Sequence, residues 1–241
     1  MTIHSIVVLT GAGISAESGL GTFRDKDGIW TRYPLEDLAT PEGFARDPEF
    51  VHGFYNDRRA ALKTARPHAG HKAIAHLEKE WCRLGRTFTL VTQNVDNLHE
   101  QAGSASDRLI HMHGELARVR CGLCETITDC MESISTSSVC SKCGKTGFMR
   151  PHVVWFGEIP LGMEEITEAL SSADMFISVG TSGNVYPAAG FVDMARTIGA
   201  RTVELNLEPS ENAYVFDETH YGVASEILPR WVDNFLSQNA N

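Results

Sequence analysis

The sequence has no long apolar run and no excess of basic charge, and each absence excludes a class of protein. Its hydrophobic runs are too short to span a bilayer, and the first ten residues, MTIHSIVVLT, have neither the basic start nor the apolar length of a secretion signal. A formal net charge of −10 disfavours non-specific binding to nucleic acids or anionic membranes. We therefore expect a cytoplasmic protein with no membrane partner and no stable nucleic-acid partner. The sequence predicts nothing about oligomeric state.

Low-complexity tracts and linkers rich in proline, glycine or serine are also missing, and one pair of cysteine knuckles is the only repeat. With 241 residues, of which 42% are hydrophobic and 22% charged, the composition is that of a globular protein with a substantial core. Four of the six cysteines form two C-x-x-C pairs. In a reducing compartment this pattern indicates metal binding rather than disulfides.

A glycine-rich segment follows the first apolar run. Residues 6–9, IVVL, predict a short strand buried on both faces of a parallel sheet. Gly11, Gly13 and Ala16 then match the dinucleotide-binding pattern G-x-G-x-x-G/A, in which glycines allow a tight turn close to a pyrophosphate. Alone, this pattern is weak evidence for nucleotide binding.

The second strand of an ordinary dehydrogenase is missing at its usual distance. That strand ends in an acidic residue about 20 positions after the turn, where it holds the adenine ribose. Here this distance brings Gly28-Ile29-Trp30, and the next strand-like run is residues 87–92. A long insertion therefore separates the first two strands, which makes hydride transfer a weaker interpretation.

Polar residues follow two later strand-like runs. Gln93, Asn94 and Asp96 come directly after residues 87–92, at the edge of the sheet where open α/β proteins bind ligands. Helix capping by Asn94 or Asp96 is the alternative. Residues 109–114, LIHMHG, predict a strand with His111 and His113 on one face. Either histidine could be a general base or a structural residue, and spacing does not choose between them.

The two cysteine pairs are the strongest pattern in the sequence. Cys121 and Cys124 are separated by fifteen residues from Cys140 and Cys143. Two such knuckles supply four thiolates in a tetrahedron, which suits a structural Zn²⁺ with no open position. The polar sequence between the knuckles is not expected to fold without the metal.

The remaining pattern predicts the architecture. Apolar runs at 153–156, 175–179 and 202–205 alternate with helical segments, and Thr40-Pro41 and Asp47-Pro48 predict helix starts. We expect an α/β fold, a doubly wound parallel Rossmann-like sheet with a smaller inserted domain made of a helical module and a zinc ribbon. The predicted NAD-binding domain comprises 1–30, 82–114 and 150–241, and the small domain comprises the helical insertion 31–81 and the zinc-binding insertion 115–149.

Together the motifs resemble the sirtuin family. GAGISAESGLGTFR, TQNVDNLH, HMHGEL, the paired knuckles, RPHVVWFGE, GTSGNVYPAA and NLE occur in the family's order from about Ile6 to Leu236. The resemblance implies a bacterial NAD-dependent protein-lysine deacylase. Its products are nicotinamide, free lysine and 2′-O-acyl-ADP-ribose, with NAD consumed as a co-substrate and acylated proteins as partners.

The resemblance also assigns roles to residues. It makes His113 the catalytic base that takes a proton from the ribose hydroxyls. It assigns NAD binding to Gly11, Ala12, Gly13, Ser15, Ala16, Phe23, Arg24, Asp25, Gln93, Asn94, Asp96, Gly180, Thr181, Ser182, Asn206, Leu207, Glu208 and Ala224. It assigns backbone pairing with the substrate peptide to Val154, Phe156, Gly157 and Glu158.

Ala39, Tyr55 and Arg58 match a subgroup that removes succinyl and malonyl groups. Tyr55 and Arg58 lie three residues apart on a predicted helix and therefore share a face. From spacing alone, an amphipathic helix with an exposed arginine explains this pair. The resemblance instead implies that Ala39 widens the acyl pocket and that Tyr55 and Arg58 bind the distal carboxylate.

Three other functions are weaker interpretations. A mono-ADP-ribosyltransferase would use the same NAD site, and an NAD oxidoreductase lacks the usual second strand. A zinc-ribbon adaptor that binds nucleic acid would leave Gln93, Asp96 and His113 without a role.

Overall fold

The structure is a computed structural model, and it describes residues 3–22 and 34–239. The predicted cofactor-loop residues Phe23, Arg24 and Asp25 lie outside the described residues. Within these two ranges, no helix is both long and apolar enough to cross a membrane.

A six-stranded parallel sheet forms the centre of the fold. Its strands are β1 (Ser5–Thr10), β2 (Thr87–Thr92), β3 (Leu109–His111), β7 (Met175–Val179), β8 (Arg201–Asn206) and β9 (Glu218–Tyr221). Their spatial order is β3-β2-β1-β7-β8-β9. The chain therefore runs outward from β1 in both directions, which confirms the predicted doubly wound sheet.

Helices cover both faces of this sheet. Ile6 and Val8 pack on one face with α5 (Ala69–Arg83) and α9 (Ala224–Gln238), while Val7 and Leu9 pack on the other with α7 (Met163–Ser171) and α8 (Phe191–Thr197). All four β1 side chains are at most 3% exposed. The apolar run 6–9 is thus a strand buried on both faces, as predicted.

The smaller part of the structure combines short helices with an antiparallel sheet. Its helices are α2 (Leu35–Leu38), α3 (Pro41–Arg46) and α4 (Pro48–Leu62), and its strands, in the order β5-β4-β6, are β4 (Gly114–Cys121), β5 (Ile127–Asp129) and β6 (Met149–Val153). The predicted helix starts are confirmed, because Thr40 Oγ1 accepts from the Gly43 amide and Asp47 Oδ1 accepts from the Phe50 amide at 3.0 Å each.

α5 packs on the large sheet rather than on the other helices of segment 31–81. Ala73, Ile74 and Leu77 join the core that contains Ile6 and Val8. The division of the chain into two domains stays a prediction, and this packing favours assigning residues 69–81 to the large domain.

Two predicted strands differ from the observed ones. The strand predicted at 109–114 is wrong because β3 ends at His111, and Gly114, with φ +81°, begins β4 of the small sheet. The run 153–156 is not a strand of the parallel sheet. It continues from β6 of the small sheet, and its amides bond elsewhere: Val154 N donates to His113 O and Phe156 N to Ala39 O.

Candidate active site

A cleft of about 860 Å³ opens at the carboxyl ends of β1, β2, β7 and β8. Gly11, Gln93, Gly180 and Asn206, which stand at or just after these strand ends, all line it. The chain leaves β1 in opposite directions toward β2 and β7, so the cleft lies at the topological switch point where such sheets bind ligands. Its volume is in the range of small-molecule and cofactor sites.

The glycine-rich turn packs directly on the end of β7. Gly11 N donates to Val179 O and Gly13 N to Gly180 O, at 2.9 Å each. A Cβ at Gly13 would lie 2.8 Å from Gly180 Cα. The glycines are therefore required by this close backbone contact. Both amides have protein partners in this turn, and the assignment of Gly11 and Gly13 to NAD binding stays a prediction.

Gly13→Ala is expected to destabilise the protein by about 1–3 kcal/mol, as overpacking does, and to raise the KM for NAD because the turn must move. Gly53 in α4 is the matched control, since a Cβ there meets nothing within 4 Å. Gly53→Ala should stabilise the helix by about 1 kcal/mol and leave KM unchanged. Thermal melting and NAD titration of both variants test this, and equal melting temperatures for the two would contradict it.

Most of the predicted site residues meet in this cleft. The predicted NAD-binding residues that line it are Gly11, Ala12, Gly13, Ala16, Gln93, Asn94, Gly180, Thr181, Ser182, Asn206, Leu207, Glu208 and Ala224. His113 lines it together with the predicted substrate residues Ala39, Tyr55, Arg58, Val154, Phe156, Gly157 and Glu158. Their individual roles stay predictions.

Ser15 and Asp96 lie in a small adjoining cavity that shares Ala12, Arg58 and Asn94 with the cleft. Ser15 Oγ donates to Asp96 Oδ2 at 2.9 Å, while Asn94 Nδ2 donates to Ser15 Oγ at 3.2 Å. Burial raises the pKa of Asp96, although its hydrogen bonds from Leu98 N and Ser15 oppose this. Asp96 Oδ1 accepts from Leu98 N, the first amide of helix α6 (Leu98–Ala102), whose N-cap residue is Asn97. The role of Asp96 in NAD binding stays a prediction.

His113 is placed to act as a base. Its Nδ1 lies 3.1 Å from Gln93 O. Because a carbonyl only accepts, Nδ1 carries the proton in the neutral ring, and the Nε2 lone pair is left to accept one. Burial lowers the pKa of His113, and the bond to Gln93 only partly opposes this. The ring is therefore mostly neutral at pH 7.

His111 is held at both ring nitrogens. Nδ1 lies 3.2 Å from Asn94 O and Nε2 lies 2.9 Å from Glu100 Oε1. Burial alone lowers its pKa, but the hydrogen bond and charge of Glu100 reverse the effect and raise it. Both neighbours are acceptors, so the ring satisfies both as an imidazolium. The structure thus separates two histidines that spacing left equivalent.

The three residues of the predicted acyl pocket lie where α4 faces the cleft. Tyr55, 7% exposed, and Arg58 both reach the cleft from one face of the helix, and Ala39 lies beside them at 4% exposure. Burial lowers the pKa of Arg58, and the charges of Tyr55 and Asp96 oppose this shift. The Arg58 Cζ atom lies 5.8 Å from the centre of the Phe54 ring. The alternative interpretation, in which Arg58 is an exposed residue of an amphipathic helix, is therefore wrong.

The Glu158 carboxylate has protein partners on both oxygens. Oε1 accepts from Arg120 and Arg150 at 2.7 Å each, and Oε2 accepts from Trp155 N at 2.8 Å. This network lowers the pKa of Glu158, although burial acts in the opposite direction. Its side chain therefore braces the segment 154–158. The Val154 and Phe156 amides donate within the protein, and the pairing of this segment with a substrate peptide stays a prediction.

Sequence reasoning missed several residues of the cleft wall. Trp155, Val95 and the segment 184–187 also line it. Trp155 stands inside the recognised motif RPHVVWFGE, but the resemblance assigned substrate pairing to Val154, Phe156, Gly157 and Glu158 and no role to Trp155. The strand ends at Val153, and Trp155 lies in the irregular segment that follows it.

The four knuckle cysteines form one cluster. Their sulfur atoms all lie within 4.8 Å of one another, with 3.8 Å between those of Cys121 and Cys143 and 3.6 Å between those of Cys124 and Cys140. Zn–S bonds of about 2.3 Å in a tetrahedron place sulfurs about 3.8 Å apart. The donor set therefore fits a structural Zn²⁺. Cys130 stands outside this group, as predicted.

The fold and cleft are those of a nucleotide-dependent α/β enzyme. The Sir2 family pattern matches residues 11–187. Two relatives are both named NAD-dependent protein deacylase. The one from Caulobacter vibrioides is 58% identical, and the match covers 98% of each chain. The one from Pasteurella multocida is 57% identical, and the match covers 96% of this chain and 97% of the relative. A solved complex of a Sir2 homologue mutant with ADP-ribose superimposes with a TM-score of 0.89 at 39% identity, covering 99% of this chain and 96% of that one. The chain belongs to the Sir2 family, the sirtuins, which confirms the predicted resemblance.

Proposed function

We propose that this sirtuin is an NAD-dependent protein-lysine deacylase that removes succinyl and malonyl groups at least as efficiently as acetyl groups. The names of its relatives support the deacylase reaction. The observation that carries the acyl preference is one continuous cleft, which runs from the glycine-rich turn past His113 to Tyr55 and Arg58.

Bound NAD would supply an ADP-ribosyl acceptor: its bond to nicotinamide would break as the acyl oxygen of the lysine bonds to the ribose, and water would then release the lysine and leave the acyl group on ADP-ribose. The loops after β1, β7 and β8 bind one end of NAD, and Gln93 and Asn94 border the centre of the cleft. His113 Nε2 accepts a proton from a ribose hydroxyl, since Nδ1 is committed to Gln93 O. Its lowered pKa keeps this base neutral at physiological pH. Val153, which is buried and lines the cleft, limits the access of water to the lysine stem.

The acyl end of the cleft has the chemistry of a carboxylate site. A guanidinium donates two parallel hydrogen bonds to a carboxylate, and a phenol adds a third. Arg58 and Tyr55 supply these groups at one wall, and the small Ala39 leaves room for the longer acyl chain. An acetyl group has no distal carboxylate and gains nothing from these donors.

Arg58→Met is expected to lower the succinyl-to-acetyl ratio of kcat/KM by about 10- to 100-fold, the size of a charged hydrogen-bond contact. One peptide carrying acetyl-, malonyl- or succinyl-lysine is incubated with and without NAD, and acyl loss is followed by mass spectrometry. Methionine retains an unbranched apolar stem and lacks the guanidinium, so the variant removes the charge and its hydrogen bonds.

Arg66→Met is the matched control, because Arg66 is exposed and its guanidinium donates to the backbone carbonyls of Lys63 and Ala65 in its own turn. This variant should retain the wild-type ratio. An unchanged ratio in Arg58→Met refutes the acyl preference. ADP-ribose attached to protein without lysine release would instead favour the mono-ADP-ribosyltransferase.

Acylated proteins are the expected partners, in the cytoplasm and without stable nucleic-acid binding. The expected lack of stable nucleic-acid binding rests on the acidic net charge of −10. Salt-sensitive DNA binding by the purified chain would contradict it.

A further inference from the structure

Trp155 is a buried residue of the cleft wall with a directed polar contact. Its side chain is 2% exposed and packs against Phe44, with 5.2 Å between ring centres. The indole Nε1 donates to the Tyr55 phenol oxygen at 2.9 Å. This hydrogen bond joins two residues that stand 100 positions apart, on α4 and in the segment after β6.

The direction of this hydrogen bond fixes the phenol proton. An indole N–H donates and cannot accept, so the Tyr55 oxygen must be the acceptor. The single phenol proton is then left to donate to another group. Burial raises the pKa of Tyr55 to about 12, so this proton stays on the oxygen at neutral pH. Tyr55 also lines the cleft beside Arg58.

The indole itself is held in one orientation. The Arg150 Cζ atom lies 3.3 Å from the centre of the Trp155 ring. Arg150 binds Glu158 through NH1 at 2.7 Å and NH2 at 3.0 Å, and Glu158 Oε2 accepts from the Trp155 amide. Ring and backbone of Trp155 are therefore fixed by the same ion pair. Because the indole is held in this way, its N–H approaches the Tyr55 oxygen from one direction.

We propose that Trp155 is a positioning residue that makes the site selective for acyl groups with a distal carboxylate. By occupying an acceptor position of the Tyr55 oxygen, it turns the phenol O–H toward the acyl carboxylate that Arg58 binds. Donation from the indole also polarises the phenol and strengthens its own donation. This inference rests on the proposed function of Tyr55 and Arg58. It adds that selectivity depends on a residue that does not touch the carboxylate.

Trp155→Phe tests this, because phenylalanine keeps an aromatic ring and removes the N–H. We expect KM for the succinyl-lysine peptide to rise about three- to tenfold, the effect of one neutral hydrogen bond, with kcat little changed. KM for the acetyl-lysine peptide should change by less than about twofold, because no carboxylate is bound. In a Tyr55→Phe background, Trp155→Phe should have no further effect on the succinyl peptide.

Trp231→Phe is the matched control, since it also removes an indole hydrogen bond. Trp231 Nε1 donates to Glu218 Oε1 at 3.0 Å, and Trp231 does not line the cleft. It should leave both KM values unchanged.

Equal losses for both peptides in Trp155→Phe, or additive effects with Tyr55→Phe, would overturn the inference and leave Trp155 a packing residue. If Arg58→Met also fails to change the ratio, the proposed acyl preference fails. If Arg58→Met changes the ratio and Trp155→Phe does not, only the role of Trp155 fails.

Discussion

Replacement of His113 by alanine is expected to lower kcat/KM for every acyl-lysine peptide by about 10²- to 10⁴-fold, the usual contribution of a general base. His113 directs one nitrogen to Gln93 O and keeps the other for the reaction. No other histidine of the described chain lines the cleft. Acyl release and nicotinamide release, measured separately, show which step depends on the base.

The pH profile gives a second measurement of the same role. The neutral ring is the base, so activity is full above the pKa of His113 and is lost as the pH falls through it. Because burial lowers this pKa, the acidic limb of kcat/KM should lie below the ordinary histidine value of 6.5.

His76→Ala is the control for a surface histidine, since His76 is exposed on α5. Its activity and pH profile should match wild type.

His111→Gln should lower the melting temperature, because Glu100 loses its partner. Its loss of kcat/KM should be far smaller than that of His113→Ala. If His111→Gln abolished activity and His113→Ala retained it, the assignment of the base would be reversed.

Loss of one knuckle thiolate is expected to unfold the zinc-binding segment and abolish activity indirectly. A structural zinc contributes about 10–16 kcal/mol in small zinc peptides, as much as the whole stability of a typical domain. The core around the cluster is small, with Val119, Ile134 and Met149 as its main apolar members. Cys140→Ser should therefore lose bound zinc, melt at lower temperature and lose deacylation.

The damage reaches the active site through β4. This strand begins directly after His113, and Leu116 O accepts from Arg59 Nε at 3.0 Å, which joins the zinc segment to α4. Cys130→Ser is the matched control in the same segment, and it should retain zinc content, melting temperature and activity. Full activity and an unchanged melting curve in zinc-free protein would show that the metal has no structural role.

Local patterns were sufficient for the parts of the protein that depend on short-range chemistry. The apolar run 6–9 was predictable as a strand because three of its four residues are β-branched and a central parallel strand is buried on both faces. The knuckle spacing brings four sulfurs together because each C-x-x-C pair is already close in the chain. Thr40 and Asp47 begin helices because their side-chain oxygens reach amides three residues on.

Patterns failed where a residue's neighbours come from distant segments. Alternation placed His111 and His113 on one strand, but Met112 turns into the core at 0% exposure and the chain crosses to the second sheet. The motifs gave Trp155 no role, because its hydrogen-bond partner Tyr55 is 100 residues away. The domain division stays a prediction, and α5, which it grouped with the helical insertion, packs its apolar face on the parallel sheet.

The sequence by itself determined the fold class, the family and the metal-binding cysteines, since these depend on periodicity and on residue types at fixed spacing. Only the tertiary structure decided which histidine has a free ring nitrogen, where the Glu158 carboxylate is bound and which way the Tyr55 proton points. The physical reason is that burial and hydrogen-bond partners set the protonation and direction of a polar group, and both arise when segments far apart in the chain pack together.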